Sequence, residues 1–172
     1  TFLILLAGFV FVHKHLVLIV QSPFLGRIAE QVVKAVKGDE YAESTLSFGQ
    51  SLARSTKVNL HYIVREFMGN IFFLCFGFIP LVGSLVSAAG MFVIQSKFLG
   101  YGLMDFPLEH RGLSARESDA FVKARTSLSV GLGAGYLLLM LIPIVGWMFA
   151  PTFGTVAGTL KALEELEKAP ES

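Results

Sequence analysis

FMGNIFFLCFGFIPLVGSLVSAAGMFVIQS, from Phe67 to Ser96, contains no charged residue. As one helix it would be roughly 45 Å long at about 1.5 Å per residue, against a bilayer core of about 30 Å. That is too long for one crossing and too short for two. At its centre stands Ile79-Pro80-Leu81-Val82-Gly83. Proline removes a backbone donor and clashes with the preceding turn, and glycine accepts backbone angles that strain other residues. The spacing predicts a break there: two short apolar helices that enter a membrane, turn between Pro80 and Gly83, and leave by the same face.

Ile142-Pro143-Ile144-Val145-Gly146 repeats the phrase inside a second uncharged run, Thr126 to Leu160. A small-residue arm follows each copy, with Ser84, Ser87, Ala88, Ala89 and Gly90 in the first and Thr152, Gly154, Thr155, Ala157 and Gly158 in the second. Matching Pro/Gly interruptions in two hydrophobic segments point to an internal structural repeat, with hairpin turns at Pro80, Gly83, Pro143 and Gly146. The competing reading is two long helices, each kinked at its proline.

The composition agrees with a bilayer. The chain is 53% hydrophobic and 16% charged, with a mean hydropathy of +0.65, whereas soluble domains carry about 25% charged residues. The expected fold is an all-α integral membrane protein with long transmembrane helices plus two re-entrant hairpins. A net charge of +1 gives no reason to invoke nucleic acid. A lone cysteine, Cys75, rules out a disulfide framework within the chain and reads as an inert buried thiol.

Outward from the hairpins, six segments follow: transmembrane helices and an amphipathic extension (1–37), a cytoplasmic loop and amphipathic helix (38–66), hairpin one (67–96), a polar connector (97–125), hairpin two (126–160) and a tail (161–172). His13-Lys14-His15 interrupts the first apolar stretch. Lys14 at mid-membrane would cost about 2.5–3.5 kcal/mol, so a surface turn between two transmembrane helices is the better reading. Two histidines without further ligands mark an aqueous edge rather than a metal site. The chain starts in mid-hydrophobic sequence at Thr1, which reads as a beginning within a longer protein. Phe24, Leu25, Ile28, Val32, Val33 and Val36 recur at helical spacing up to a glycine stop at Gly38. Ser47 with Gln50, and Ser114 with Glu117, fit capping boxes, the first opening a helix expected to run to about Glu66. Asp105, Glu109, His110 and Arg111 cluster around Pro107, and Gly112 reads as a helix stop. Gly131, Gly133 and Gly135, like Gly154 and Gly158, suit close helix approach rather than a dinucleotide loop. Re-entrant hairpins would also put the basic residues of 27–66, 97–125 and the tail on one face, as the positive-inside tendency requires.

Three stretches carry a family resemblance: PFLGRIAEQV from Pro23, FGQSLARSTKVNL from Phe48 and KFLGYGLMDFPLEHRGLSARE from Lys97. The chain from about Leu16 resembles the CysZ-type sulfate permease and etoposide-induced 2.4 family. The resemblance implies a multi-pass protein of the bacterial inner membrane with two hemi-penetrating hairpins. It further implies homo-oligomers and sulfate uptake feeding cysteine synthesis. The family's Gly-Leu-Arg sulfate motif belongs near the N-terminus and does not occur in this chain.

Three functions then compete. An anion channel or permease needs oriented donors and positive potential, which helix N-termini and arginines supply. Its candidate residues are Arg111, Arg125, Ser84, Ser87, Gly83 and Gly146. Against that stands a structural reading of Asp105, Glu109 and Arg111 as an ion-paired cluster locking the hairpins together. The second function is a membrane interaction protein without flux. The third, an enzyme, finds no acid/base pair, nucleophilic triad or ligand-spaced set. The expectation is a non-enzyme without cofactor or metal, whose partners are sulfate or a related anion, the lipid bilayer and further copies of itself.

Overall fold

The computed structural model describes residues 21, 24–38, 47–80 and 82–168. The readings made on residues 1–20, including the His13-Lys14-His15 turn, on the loop 39–46 and on the last four residues lie outside that set. Among the described residues there are six helices and no strand. They are α1 (24–37), α2 (Phe48–Phe76), α3 (Gly83–His110), α4 (Ala115–Ala124), α5 (Thr126–Met140) and α6 (Val145–Lys168).

Both capping boxes form. The Ser47 hydroxyl accepts the Gln50 amide and Ser114 accepts that of Glu117, with Gln50 and Glu117 reaching back in return. Gly38 and Gly112 end their helices in the left-handed region, at φ 79° and 74°. The helix boundaries differ from expectation in one respect. The helix begun at Ser47 does not stop near Glu66 but runs on to Phe76, and the second arm of the first hairpin continues through the supposed connector to His110. A change from polar to apolar surface does not interrupt backbone hydrogen bonding, and no breaker stands at either junction.

The two Pro/Gly phrases make turns with matching hydrogen bonds. Ile79 N–H donates to Phe76 C=O, Val82 to Pro80 and Gly83 to Ile79. In the second turn Ile142 donates to Leu139, Val145 to Pro143 and Gly146 to Ile142. A Cβ on Gly83 would lie 2.0 Å from the Phe76 carbonyl oxygen, and one on Gly146 would lie 2.0 Å from that of Leu139. Only glycine lets the returning helix start this close.

α3 is the central helix, packed against α2, α4, α5 and α6. Its tightest crossing is with α5. A Cβ on Gly100 would meet Ser129 C=O at 1.8 Å, and one on Gly133 would meet Ser96 C=O at 1.8 Å. Ser96 and Ser129 are fully buried and return their hydroxyls to Phe92 C=O and Arg125 C=O one turn back. Because Ser96 faces Gly133 and Gly100 faces Ser129, the helices run antiparallel, which puts both turns at the same end of the bundle. Gly131 and Gly135 face open space instead. They line an apolar groove of about 500 Å³ with Tyr136, Phe153, Gly154 and Ala157, between α5 and α6.

The polar end holds the core. Val58 and Tyr62 of α2, Phe98, Tyr101, Met104 and Leu108 of α3, Val122 of α4 and Ala162 of α6 pack together. Tyr62 meets Tyr101 edge-on at 5.5 Å between ring centres. α1 presents Leu25, Ala29 and Val33 inward, and is tied down by a Gly26 carbonyl bond to His110 and an ion pair of Lys37 with Glu167.

The turn end is the opposite. Phe78 is 85% exposed, Leu141 74%, Leu85 71% and Ile144 69%. Cys75 is exposed there too, not buried as expected, because α2 turns this face away from α3. No helix of the described residues is long and apolar enough to cross a membrane.

Candidate functional site

Asp105 and Glu109 lie one turn apart on α3 and point the same way. Their common partner is Arg54 of α2, which sequence reasoning missed. Its guanidinium grips Asp105 with both terminal nitrogens, Nη1 to Oδ2 at 3.0 Å and Nη2 to Oδ1 at 3.2 Å, and gives Glu109 Oε2 a bond of 3.1 Å. The remaining donors go to Leu113 C=O and, at 2.7 Å, to Ser118 Oγ of α4. Ser55 adds a bond to Glu109. The three charged side chains are 12%, 9% and 7% exposed. Burial works to lower the Arg54 pKa, but the two carboxylates more than offset it and hold it above its ordinary value.

Every N–H of Arg54 is engaged, so the guanidinium has no donor left for an incoming anion. The cluster also carries two acids to one base, which repels a dianion. Its chemistry is that of a lock between α2, α3 and α4. The signal that could have found Arg54 is the stripe Ser55, Val58, Tyr62 and Glu66, each buried and three or four residues apart. That stripe marks the inward face of α2 and puts Arg54 on its shoulder.

The expected site residues do not come together. Arg111 sits on the exposed loop just past α3, while Gly83 and Ser84 begin that helix. At 1.5 Å per residue they are about 40 Å apart. Ser84 is exposed and Ser87 is buried behind the first turn. Gly83 and Gly146 are at the turn end, where their contacts are to their own turns. Arg125 is spent on α6: Nε reaches Glu165 Oε2 at 2.9 Å, Nη2 reaches the Glu165 carbonyl, and the guanidinium stacks 3.8 Å over Phe121. His110 donates from Nε2 to Gly26 C=O at 3.0 Å, and its buried Nδ1 has no hydrogen-bond partner among the described residues.

The family described as Sulfate transporter CysZ/Etoposide-induced protein 2.4 matches residues 1–151. A curated relative, the Sulfate transporter CysZ of Pseudomonas syringae pv. tomato (strain ATCC BAA-871 / DC3000), is 27% identical over 148 residues, 83% of this chain. The chain spans 56% of that relative's length. With the family match extending over nearly all of its described helices, the chain belongs to the Sulfate transporter CysZ/Etoposide-induced protein 2.4 family.

Proposed function

We propose that this protein passes sulfate, or a related oxyanion, across the bacterial inner membrane as a channel or permease, working as a homo-oligomer and feeding sulfate assimilation and cysteine synthesis. The choice of sulfate rests on the family and on the name of the Pseudomonas relative. The observation that carries the membrane part is the apolar turn end, where Phe78 and Leu85 beside the first turn and Leu141 and Ile144 in the second stand exposed. Exposed apolar surface of that extent marks a membrane or protein contact.

The dimensions support hairpins that dip rather than cross. The uncharged arm of α2, residues 67–76, is about 15 Å long, and α5 is about 22 Å, against a bilayer core of about 30 Å. The turn backbone suits that depth. The N–H groups of Gly77, Phe78, Ile79, Val82 and Gly83 all donate within the turn, and Pro80 has none to satisfy.

A second reading, a membrane interaction protein without flux, draws on the state of Arg54 and Arg125, both tied into internal ion pairs. Uptake of radiolabelled sulfate into proteoliposomes holding the purified full-length protein separates the two. Uptake above that of empty liposomes is the expected result. No uptake from folded, oligomeric protein would sink the transport reading and leave the second.

A further inference from the structure

Both hairpins are free of charge, over 67–96 and 126–160. On three of their four arms the first charged residue beyond that stretch is basic: Lys97 on α3, Arg125 on α5 and Lys161 on α6. On α2 it is Glu66, which is 2% exposed, and Arg65 comes next. We infer that Arg65, Lys97, Lys123 and Lys161 form a basic collar that seats on the phosphate layer of an anionic lipid leaflet. The inference rests on the membrane part of the function proposed above, and adds to it the class of headgroup and the depth of insertion.

Height is the first argument. At about 1.5 Å per residue, Lys97 lies about 21 Å from Gly83 and Lys161 about 24 Å from Val145, each counted from its own turn. Arg65 shares the height of Lys97, since both cations lie 5.7 Å from the centre of the Phe98 ring. Lys123 holds Asp119 together with Arg65 and so lies beside it. One leaflet has about 15 Å of hydrocarbon, and about 20–22 Å with its headgroups. A helix tilt of about 20° brings the collar to about 20–23 Å from the tips. Turns at the midplane therefore put all four cations in the headgroup layer, with no charged residue of either hairpin below them.

Charge is the second argument. Lys97 has the rings of Phe98 and Tyr101 as partners and no carboxylate among the described residues. Asp119 is one acid between two bases. Glu164, the partner of Lys161, follows it by three residues on α6 and so stands farther from the turn. On α3 the next acid is Asp105, about 12 Å beyond Lys97 and closed off by Arg54. Arg125 is left out of the collar because Glu165 engages it. The border facing the leaflet thus presents four cations around a single exposed-side acid, Asp119. A phosphatidylcholine phosphate carries its own choline cation, whereas an anionic headgroup leaves its charge for the protein to meet.

Apolar side chains begin directly under the cations. Phe67 and Met68 stand exposed below Arg65, Val93 below Lys97 and Leu160 below Lys161. Insertion of the apolar arms and attraction at the collar therefore act together at one depth.

The test is electron paramagnetic resonance of spin-labelled lipids around the full-length protein in phosphatidylcholine bilayers, comparing labelled phosphatidylglycerol with labelled phosphatidylcholine. The motionally restricted fraction should favour phosphatidylglycerol several-fold. That preference should fall towards parity at 1 M salt, where the screening length is about 3 Å. It should also fall at least twofold in Lys97→Gln/Lys161→Gln, with thermal unfolding as the check on folding. Lys57→Gln should keep it, because Lys57 lies about 12 Å farther from the tip than Arg65, beyond the screening length of about 8 Å at physiological salt. Equal restriction of the two lipids by the parent protein, which needs no variant, overturns the collar and leaves the membrane reading standing. A preference that survives in the folded double variant overturns the assignment to these residues. No restricted lipid of either kind removes the membrane reading, and the collar with it.

Discussion

Arg54 holds two carboxylates that would otherwise be buried without a countercharge. Replacing one member of such a cluster costs about 3–5 kcal/mol, because the remaining charges stay desolvated. Arg54→Met should therefore lower the unfolding free energy by about that amount in a denaturant titration, whereas Arg111→Met, on the exposed loop, should change it by less than about 1 kcal/mol. Glycines offer a sharper contrast. A methyl group at Gly133 collides with the Ser96 backbone, which cannot yield without prising α3 from α5, and overpacking of this kind costs about 1–3 kcal/mol. A methyl group at Gly131 meets nothing, and alanine is the better helix former by about 0.5–1 kcal/mol. Thermal unfolding should show Gly133→Ala destabilised and Gly131→Ala equal to or above the parent. Alternate glycines read as one motif in sequence, yet only the structure tells which of them bears the contact.

At the scale of the element, the second turn stores strain. Ile144 is a β-branched residue at φ 63°, bracketed by the Val145-to-Pro143 hydrogen bond. The left-handed region costs a side chain about 1–2 kcal/mol. Ile144→Gly removes that cost and adds backbone entropy to the unfolded chain, for a net gain of up to about 1 kcal/mol in unfolding free energy. A loss would show that the Ile144 side chain makes compensating contacts with its surroundings. The last turns of α6 respond to pH instead. Lys161 and Lys168 hold the Glu164 carboxyl at about 2 against an ordinary 4.5. A carboxyl depressed on folding stabilises above its unfolded value and loses that contribution as pH falls, so the effect is complete above pH 4.5 and gone near pH 2. The helical circular-dichroism signal of the protein should fall across this window less in Glu164→Gln than in the parent. Features with local causes were legible in the sequence: both capping boxes, the glycine stops at Gly38 and Gly112, and the paired Pro/Gly turns. Helix continuity across Glu66–Phe67 and Ser96–Lys97 was not, because a polarity change on the surface leaves the backbone ladder untouched.

On the scale of the whole molecule, polarity is sorted along one axis, with ion pairs and aromatic core at one end and both turns at the other. That sorting tests the membrane reading through the chain's single cysteine. A nitroxide on Cys75 in lipid bilayers should be relaxed by dissolved oxygen and shielded from a water-soluble nickel chelate. Equal access by the chelate would place the first turn in water. The sequence disclosed this axis through its uncharged runs, but it paired Asp105 and Glu109 with Arg111, their near neighbour. Arg54, which bonds both carboxylates, lies 51 and 55 residues away from them. An ion pair of that sequence separation leaves no spacing pattern in a single sequence, so Arg54 went unread.

α3 is unbroken from Gly83 to His110 and is clasped near its middle, where Ser96 and Gly100 meet α5. Such a rod behaves as a lever on a fulcrum. A tilt of about 10° about the clasp would swing the turn end by about 4 Å and the acidic end by about 3 Å in the opposite sense. Three ångströms is the length of the bonds that Arg54 makes there. On the proposed membrane reading, a change in bilayer thickness that tilted α3 would thus reach, with little loss of amplitude, an ion-pair lock about 30 Å away.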